Sequence, residues 1–61
     1  MTLRQLLDKN LDVEFITLNY DGDIIRFHDM QELEIEAIEY DFIDEEIKSI
    51  KQGRKQILIN M

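Results

Sequence analysis

Apolar and polar positions alternate along this chain in six recognisable segments. Leu3, Leu6 and Leu7 recur at helical spacing behind Thr2 and Gln5, the pair that forms a capping box when Thr is the N-cap. Met1 and Leu6 occupy the positions of a hydrophobic staple. Lys9 suits the last turn, and Asn10 a left-handed C-terminal residue. This predicts a short helix from about Thr2 to Lys9. Its leucines must pack on something, because eight residues do not hold a helix in water unaided.

Val13 to Tyr20 is rich in strand formers. Asp21-Gly22 follows, then Asp23-Ile24-Ile25-Arg26-Phe27-His28. Asp-Gly between two such runs is a strong hairpin signal, since a type I′ turn needs positive φ at both central residues. A two-residue loop pairs Tyr20 with Asp23, Leu18 with Ile25 and Ile16 with Phe27. One face then gathers Ile16, Leu18, Ile25 and Phe27. The other carries Phe15, Thr17, Asn19, Ile24, Arg26 and His28.

Residues 29–38 support two readings. Asp29 and Glu32 repeat the capping logic, and Met30, Leu33, Ala37 and Ile38 make a helical stripe. Leu33, Ile35 and Ala37 also alternate with glutamates, as a strand would. The helix is preferred, because Glu, Leu and Ala are good helix formers. Tyr40, Phe42 and Ile43 follow as apolar anchors in an acidic loop. Glu46 to Lys51 reads as a strand, Gln52-Gly53-Arg54 as a turn, and Gln56 to Met61 as a final strand. A three-residue loop sets Ile47 opposite Ile59 and Ser49 opposite Ile57. The expected fold is α+β, in the order α-β-β-α-β-β. Two hairpins form a four-stranded antiparallel sheet, with short helices packed on one face.

Length and composition narrow the function. Sixty-one residues make one domain, with an expected stability of about 3–5 kcal/mol. Hydrophobic residues are 44% of the chain and ten are isoleucines, which is too apolar for a disordered acidic tail. There is no cysteine, hence no disulfide or thiolate metal site, and a single histidine excludes a two-histidine site. No cofactor motif occurs. No apolar run approaches the roughly 20 residues of a membrane span, and the first residues lack the pattern of a signal peptide. A cytoplasmic protein is expected.

The net charge of −7 argues against direct binding to nucleic acid or an anionic membrane. Its distribution is uneven. Residues 29–46 hold nine acids and no lysine or arginine, whereas residues 47–61 hold Lys48, Lys51, Arg54 and Lys55 and no acid. Three explanations compete. The acidic segment is a solvated face balanced by the basic hairpin; or the acidic segment of one copy meets the basic hairpin of another copy or of a partner; or spaced carboxylates mimic nucleic acid.

Candidate chemistry is sparse. His28 is the one general-base candidate near neutral pH, and beside Asp29 at a strand end it reads as a surface residue. Asn19, Asp21 and Asp23 lack the glycine placement of a calcium loop. Glu32, Glu34, Glu36 and Glu39 could gather a hard cation, but exposed glutamates usually stay solvated. Ser49 has no glycine elbow. No catalytic, cofactor or metal site is expected. Phe15, Thr17 and Ile24, on the less apolar face of the first hairpin, form a candidate contact surface. Glu32, Glu36 and Glu39 form the acidic part of one. Open sheet edges and a small core favour a homodimer.

The opening Leu3-Arg4-Gln5-Leu6-Leu7-Asp8, the hairpin around Tyr20-Asp21-Gly22-Asp23, and Asp44-Glu45-Glu46-Ile47-Lys48-Ser49-Ile50 with Ile57-Leu58-Ile59 resemble small acidic proteins of phages and mobile elements of Gram-positive bacteria. The resemblance implies a non-enzymatic accessory protein that works by binding an unidentified protein partner. The alternative is an acidic decoy, of the phage anti-defence type, that inhibits a nucleic-acid-binding protein.

Overall fold

The computed structural model describes residues 1–61. Six elements follow one another: α1 (Leu3–Leu7), β1 (Phe15–Tyr20), β2 (Asp23–Phe27), α2 (Met30–Glu39), β3 (Ser49–Gly53) and β4 (Gln56–Asn60). The expected α+β order is present, with both helices on one side of a four-stranded sheet.

Local signals place most of these elements. Thr2 caps α1 with a complete capping box: its hydroxyl accepts from the Gln5 N–H, and the Gln5 side chain accepts from the Thr2 N–H at 2.9 Å. Asn10 is left-handed, at φ 57°. The first hairpin has the predicted register, with Tyr20 opposite Asp23, Leu18 opposite Ile25 and Ile16 opposite Phe27. Asp21 and Gly22 both have positive φ, as the two-residue turn requires.

Residues 30–39 are helical, not extended. Asp29 accepts from the Glu32 N–H at 2.8 Å, while the Glu32 carboxylate reaches one residue further back, to the His28 N–H. The helix stops in a Schellman arrangement. Phe42 N–H donates to Ala37 O and Asp41 N–H to Ile38 O, with Asp41 left-handed at φ 58°. That stop turns Phe42 into the core. Ile38, expected in the buried stripe, lies on the solvent side instead.

The sheet corrects the expected architecture. It is mixed, in the order β2-β1-β4-β3, and its central strands β1 and β4 run parallel. The two hairpins remain antiparallel within themselves. The physical reason lies in α2. Ten helical residues span about 15 Å, enough to carry the chain back along the sheet. The second hairpin therefore starts from the same end as β2, and β4 runs in the direction of β1. This order also puts the most apolar strands in the middle: Ile16, Leu18, Ile57 and Ile59 are all but inaccessible.

The second hairpin is also shifted from expectation. The loop is Arg54-Lys55, with Gly53 opposite Gln56, Ile50 opposite Ile59 and Ser49 opposite Asn60. Three non-local bonds account for this. The Lys55 carbonyl, with its residue at φ 58°, accepts from the N–H groups of Glu14 and Phe15 at the start of β1. Ile47 is withdrawn from the hairpin, its N–H donating to Met1 O at 2.8 Å, while Thr2 bridges Glu46. The strand thus begins at Ser49, not Glu46.

The core is one cluster between helices and sheet. Leu3 and Leu6 of α1, and Leu33 and Ala37 of α2, meet the inner residues of β1, β2 and β4, with Val13, Phe42, Ile43 and Met61 closing the ends. No polar or charged residue is buried. Leu18→Ala should remove about 2–5 kcal/mol. That matches the whole expected stability, so urea denaturation should show a largely unfolded chain at room temperature. Asp41→Gly should act oppositely. It relieves a left-handed non-glycine residue and should raise the unfolding free energy by up to about 1 kcal/mol, read as a higher urea midpoint at unchanged slope.

Candidate interaction surfaces

The helices cover one face of the sheet and leave the other open. Successive side chains on a strand point to opposite faces, so the open face is built from the positions between the core residues. One row across it is Arg26, Thr17, Leu58 and Lys51; the next is Ile24, Asn19, Asn60 and Ser49. Phe15 and Gln56 begin a third. No acidic residue lies on these strand positions, although the chain has fourteen acids.

The predicted contact residues fall on two separate surfaces. Phe15, Thr17 and Ile24 lie on the open sheet face, with Phe15 58% and Ile24 65% exposed. They do not form one continuous apolar spot. Phe15 and the row of Ile24 are four residues apart along β1, about 13 Å, and the Arg26–Thr17 row lies between them. Glu32, Glu36 and Glu39 belong to the helix layer on the far side of the molecule. The three share one flank of α2, toward β2, where Glu36 joins Tyr20, Asp23, Ile25, Tyr40 and Phe42 around an open groove of about 250 Å³.

Two surface features escaped the sequence pattern. Ile35 and Ile38 stand on the outward side of α2, 57% and 59% exposed. They looked like part of either a helical or an alternating core stripe, and only the helix's seating on the sheet assigns them to solvent. The other feature is a polar ladder across three strands. Asn19 Nδ2 donates to Asn60 Oδ1 at 3.2 Å, and Asn60 Nδ2 donates to Ser49 Oγ at 2.9 Å. Asn19 Oδ1 is buried without a partner. Ser49 is therefore an acceptor in this ladder.

The ion pairs do not join the acidic segment to the basic hairpin. Arg4 holds Asp44 through two bonds of 2.7 and 3.2 Å, the Met1 amine meets Glu46 at 3.0 Å, and Lys55 meets Glu14 at 3.4 Å. The acidic loop is tied to the N-terminal segment instead. Glu32, Glu34, Glu36 and Glu39 make no ion pair, and neither do Arg26, Lys48, Lys51 or Arg54. With α2 lying against β2, and β3 at the opposite sheet edge, negative and positive charge occupy different sides of the molecule.

Few groups are chemically tuned. The bond from Arg4 holds the Asp44 carboxyl below its ordinary value, and the same contact raises the Arg4 guanidinium. The Tyr20 hydroxyl donates to Glu45, which raises its pKa, with burial adding to the shift. Its ring packs on Phe42 at 5.2 Å between centroids. The His28 side chain is exposed and forms no hydrogen bond or ion pair. No three His, Cys, Asp or Glu side chains come together as a metal-ligand group.

The fold and these surfaces define a small α+β domain with one covered and one open sheet face. No helix is long and apolar enough to cross a membrane. No protein-family model, curated protein or solved structure matches the chain.

The Arg4–Asp44 pair has a predictable pH signature. A carboxyl more acidic in the folded chain than in the unfolded one stabilises the fold above its ordinary value of 3.8, and that contribution disappears as pH falls through the lowered value. Urea midpoints between neutral pH and pH 2 should therefore fall more steeply for the wild type than for Asp44→Asn.

Proposed function

We propose that this protein is a non-enzymatic binding protein that associates with further copies of itself through the open face of its sheet. The observation that carries this reading is the composition of that face. It bears Phe15, Ile24, Leu58, Arg26 and Lys51 and no acid, while the rest of the surface is strongly acidic. Aromatic and arginine side chains are enriched in protein contact surfaces. A small domain also gains the buried area it lacks when a second copy covers an open layer.

The remaining surface supports binding over catalysis. Concave regions are open, no titratable side chain is buried, and the His28 side chain has no orienting hydrogen-bond partner. General acid–base work needs such a partner within hydrogen-bond reach. The accessory role implied by phage and mobile-element proteins of this style agrees with a binder of this kind.

The decoy alternative has a narrower footing. Glu32, Glu36 and Glu39 do lie on one helix flank without cation partners. Yet α2 spans only about 15 Å, the length of four or so phosphates along one strand at roughly 3.4 Å each. A positive sheet face lies behind it. The geometry favours the first reading.

Sedimentation from low to high micromolar concentration tests it. The weight-average mass should rise with concentration. Phe15→Thr with Ile24→Thr should keep the circular dichroism spectrum and weaken association by about tenfold or more, as expected for lost apolar anchors. A wild type that stays monomeric throughout would end the reading.

A further inference from the structure

We propose that the open sheet face of one copy is covered by helix α2 of the next, so that the chain assembles head to tail. This rests on the self-association reading above and names the occupant of that face.

The two surfaces are complementary in charge. The sheet face is free of acids and carries Arg26 and Lys51 at the two ends of one row. The outward side of α2 carries Ile35 and Ile38, with Glu34 on one flank, near Arg4 of α1, and Glu32 and Glu39 at helical spacing from Glu36 on the other, toward β2. No cation of its own copy pairs with these glutamates, and no acid of its own copy pairs with Arg26 or Lys51. Each surface lacks what the other has.

Their dimensions agree as well. Arg26 and Lys51 stand on the outermost strands, three strand spacings apart, or about 14 Å. A helix is about 10–12 Å across with its side chains, so one laid over Thr17 and Leu58 would bring a glutamate flank to each cation. The ten residues of α2 also match the strands in length. The isoleucines point the same way. A β-branched residue is a mediocre helix former and gains nothing from water, yet α2 places two of them outward, three residues apart. Covered by Phe15 and Leu58 of a neighbour, they would lose that exposure.

The geometry forbids a closed pair. The helix surface and the open face lie on opposite sides of the core, so two copies related by a two-fold axis cannot join helix to sheet in both directions. Contact between unlike surfaces leaves a free sheet face at one end and a free helix surface at the other, so a third copy can add, in an open filament or in a ring if the rotation closes.

Two capped variants test this. Sheet-capped protein carries Phe15→Thr and Arg26→Glu, leaving α2 intact. Helix-capped protein carries Ile35→Gln and Ile38→Gln, leaving the sheet intact. Circular dichroism and urea midpoints confirm that both fold. A charge-only variant, Arg26→Glu with Lys51→Glu, serves if the first sheet variant is unfolded; Glu32→Gln with Glu34→Gln serves for the helix. Wild type should grow through dimer, trimer and beyond, and high salt should weaken it as charges are screened. Each capped variant alone should be monomeric, and an equimolar mixture should form a 1:1 dimer and nothing larger. A wild-type series that stops at a dimer, or capped variants whose mixture stays monomeric, overturns head-to-tail assembly while leaving self-association standing. A wild type monomeric at every concentration overturns both.

Discussion

The parallel pairing of β1 with β4 is the constraint on which the rest of the fold depends. Ile16, Leu18, Ile57 and Ile59 lie side by side in it, sealed from solvent on the inner face. A domain this small buries about 60% of the surface its unfolded chain exposes, so four such residues form a large part of its apolar stabilisation. Their pairing joins one hairpin to the other across the middle of the sheet. Everything outside it is attached at one remove: β2 and β3 as edges, α1 and α2 as a cover. The loop geometry at Lys55 follows from it as well, because its carbonyl receives the first N–H groups of β1.

The same constraint decides where charge goes. Once the apolar strands occupy the centre, poorer strands form the edges, and Lys48, Lys51 and Arg26 sit where unpaired backbone would otherwise invite indiscriminate pairing. The helix that crosses between the hairpins takes the glutamates. Its first turn benefits from Glu32, but no base stands in its last turn, where Glu39 lies with Asp41 two residues beyond, against the helix dipole. Arg4 and the Met1 amine answer part of the acidic loop, and they do so by tying the N-terminal segment to residues 43–47. Of the basic hairpin only Lys55 is paired, with Glu14, and Lys48, Lys51 and Arg54 make no ion pair.

The buried residues of this fold are all apolar, and the one buried side-chain polar atom without a partner is Asn19 Oδ1. The sheet and the helix layer present two unlike exteriors. The open face is short of acid and holds an ordered amide ladder. The helix layer is rich in acid and holds two apolar side chains.

Local chemistry alone determined the element order, the first hairpin and both helix starts. The Asp21-Gly22 turn, the Thr2–Gln5 box and the Asp29 cap each act within a few residues, so the chain carries their whole instruction. The face split of β1 and β2 was legible for the same reason, but whether the face of Phe15 and Ile24 is covered was not, and the structure leaves both exposed. Tertiary structure decided the rest. The register of the second hairpin was set by partners forty or more residues away in sequence: Met1 for Ile47, Glu14 and Phe15 for Lys55. Ile35 and Ile38 were readable as core, since which side of a helix meets a sheet depends on the sheet. The parallel centre came from the direction in which a ten-residue helix returns the chain, and from the advantage of burying the most apolar strands together. A hydrophobic pattern says which residues leave water; it does not say whose side chains they meet there.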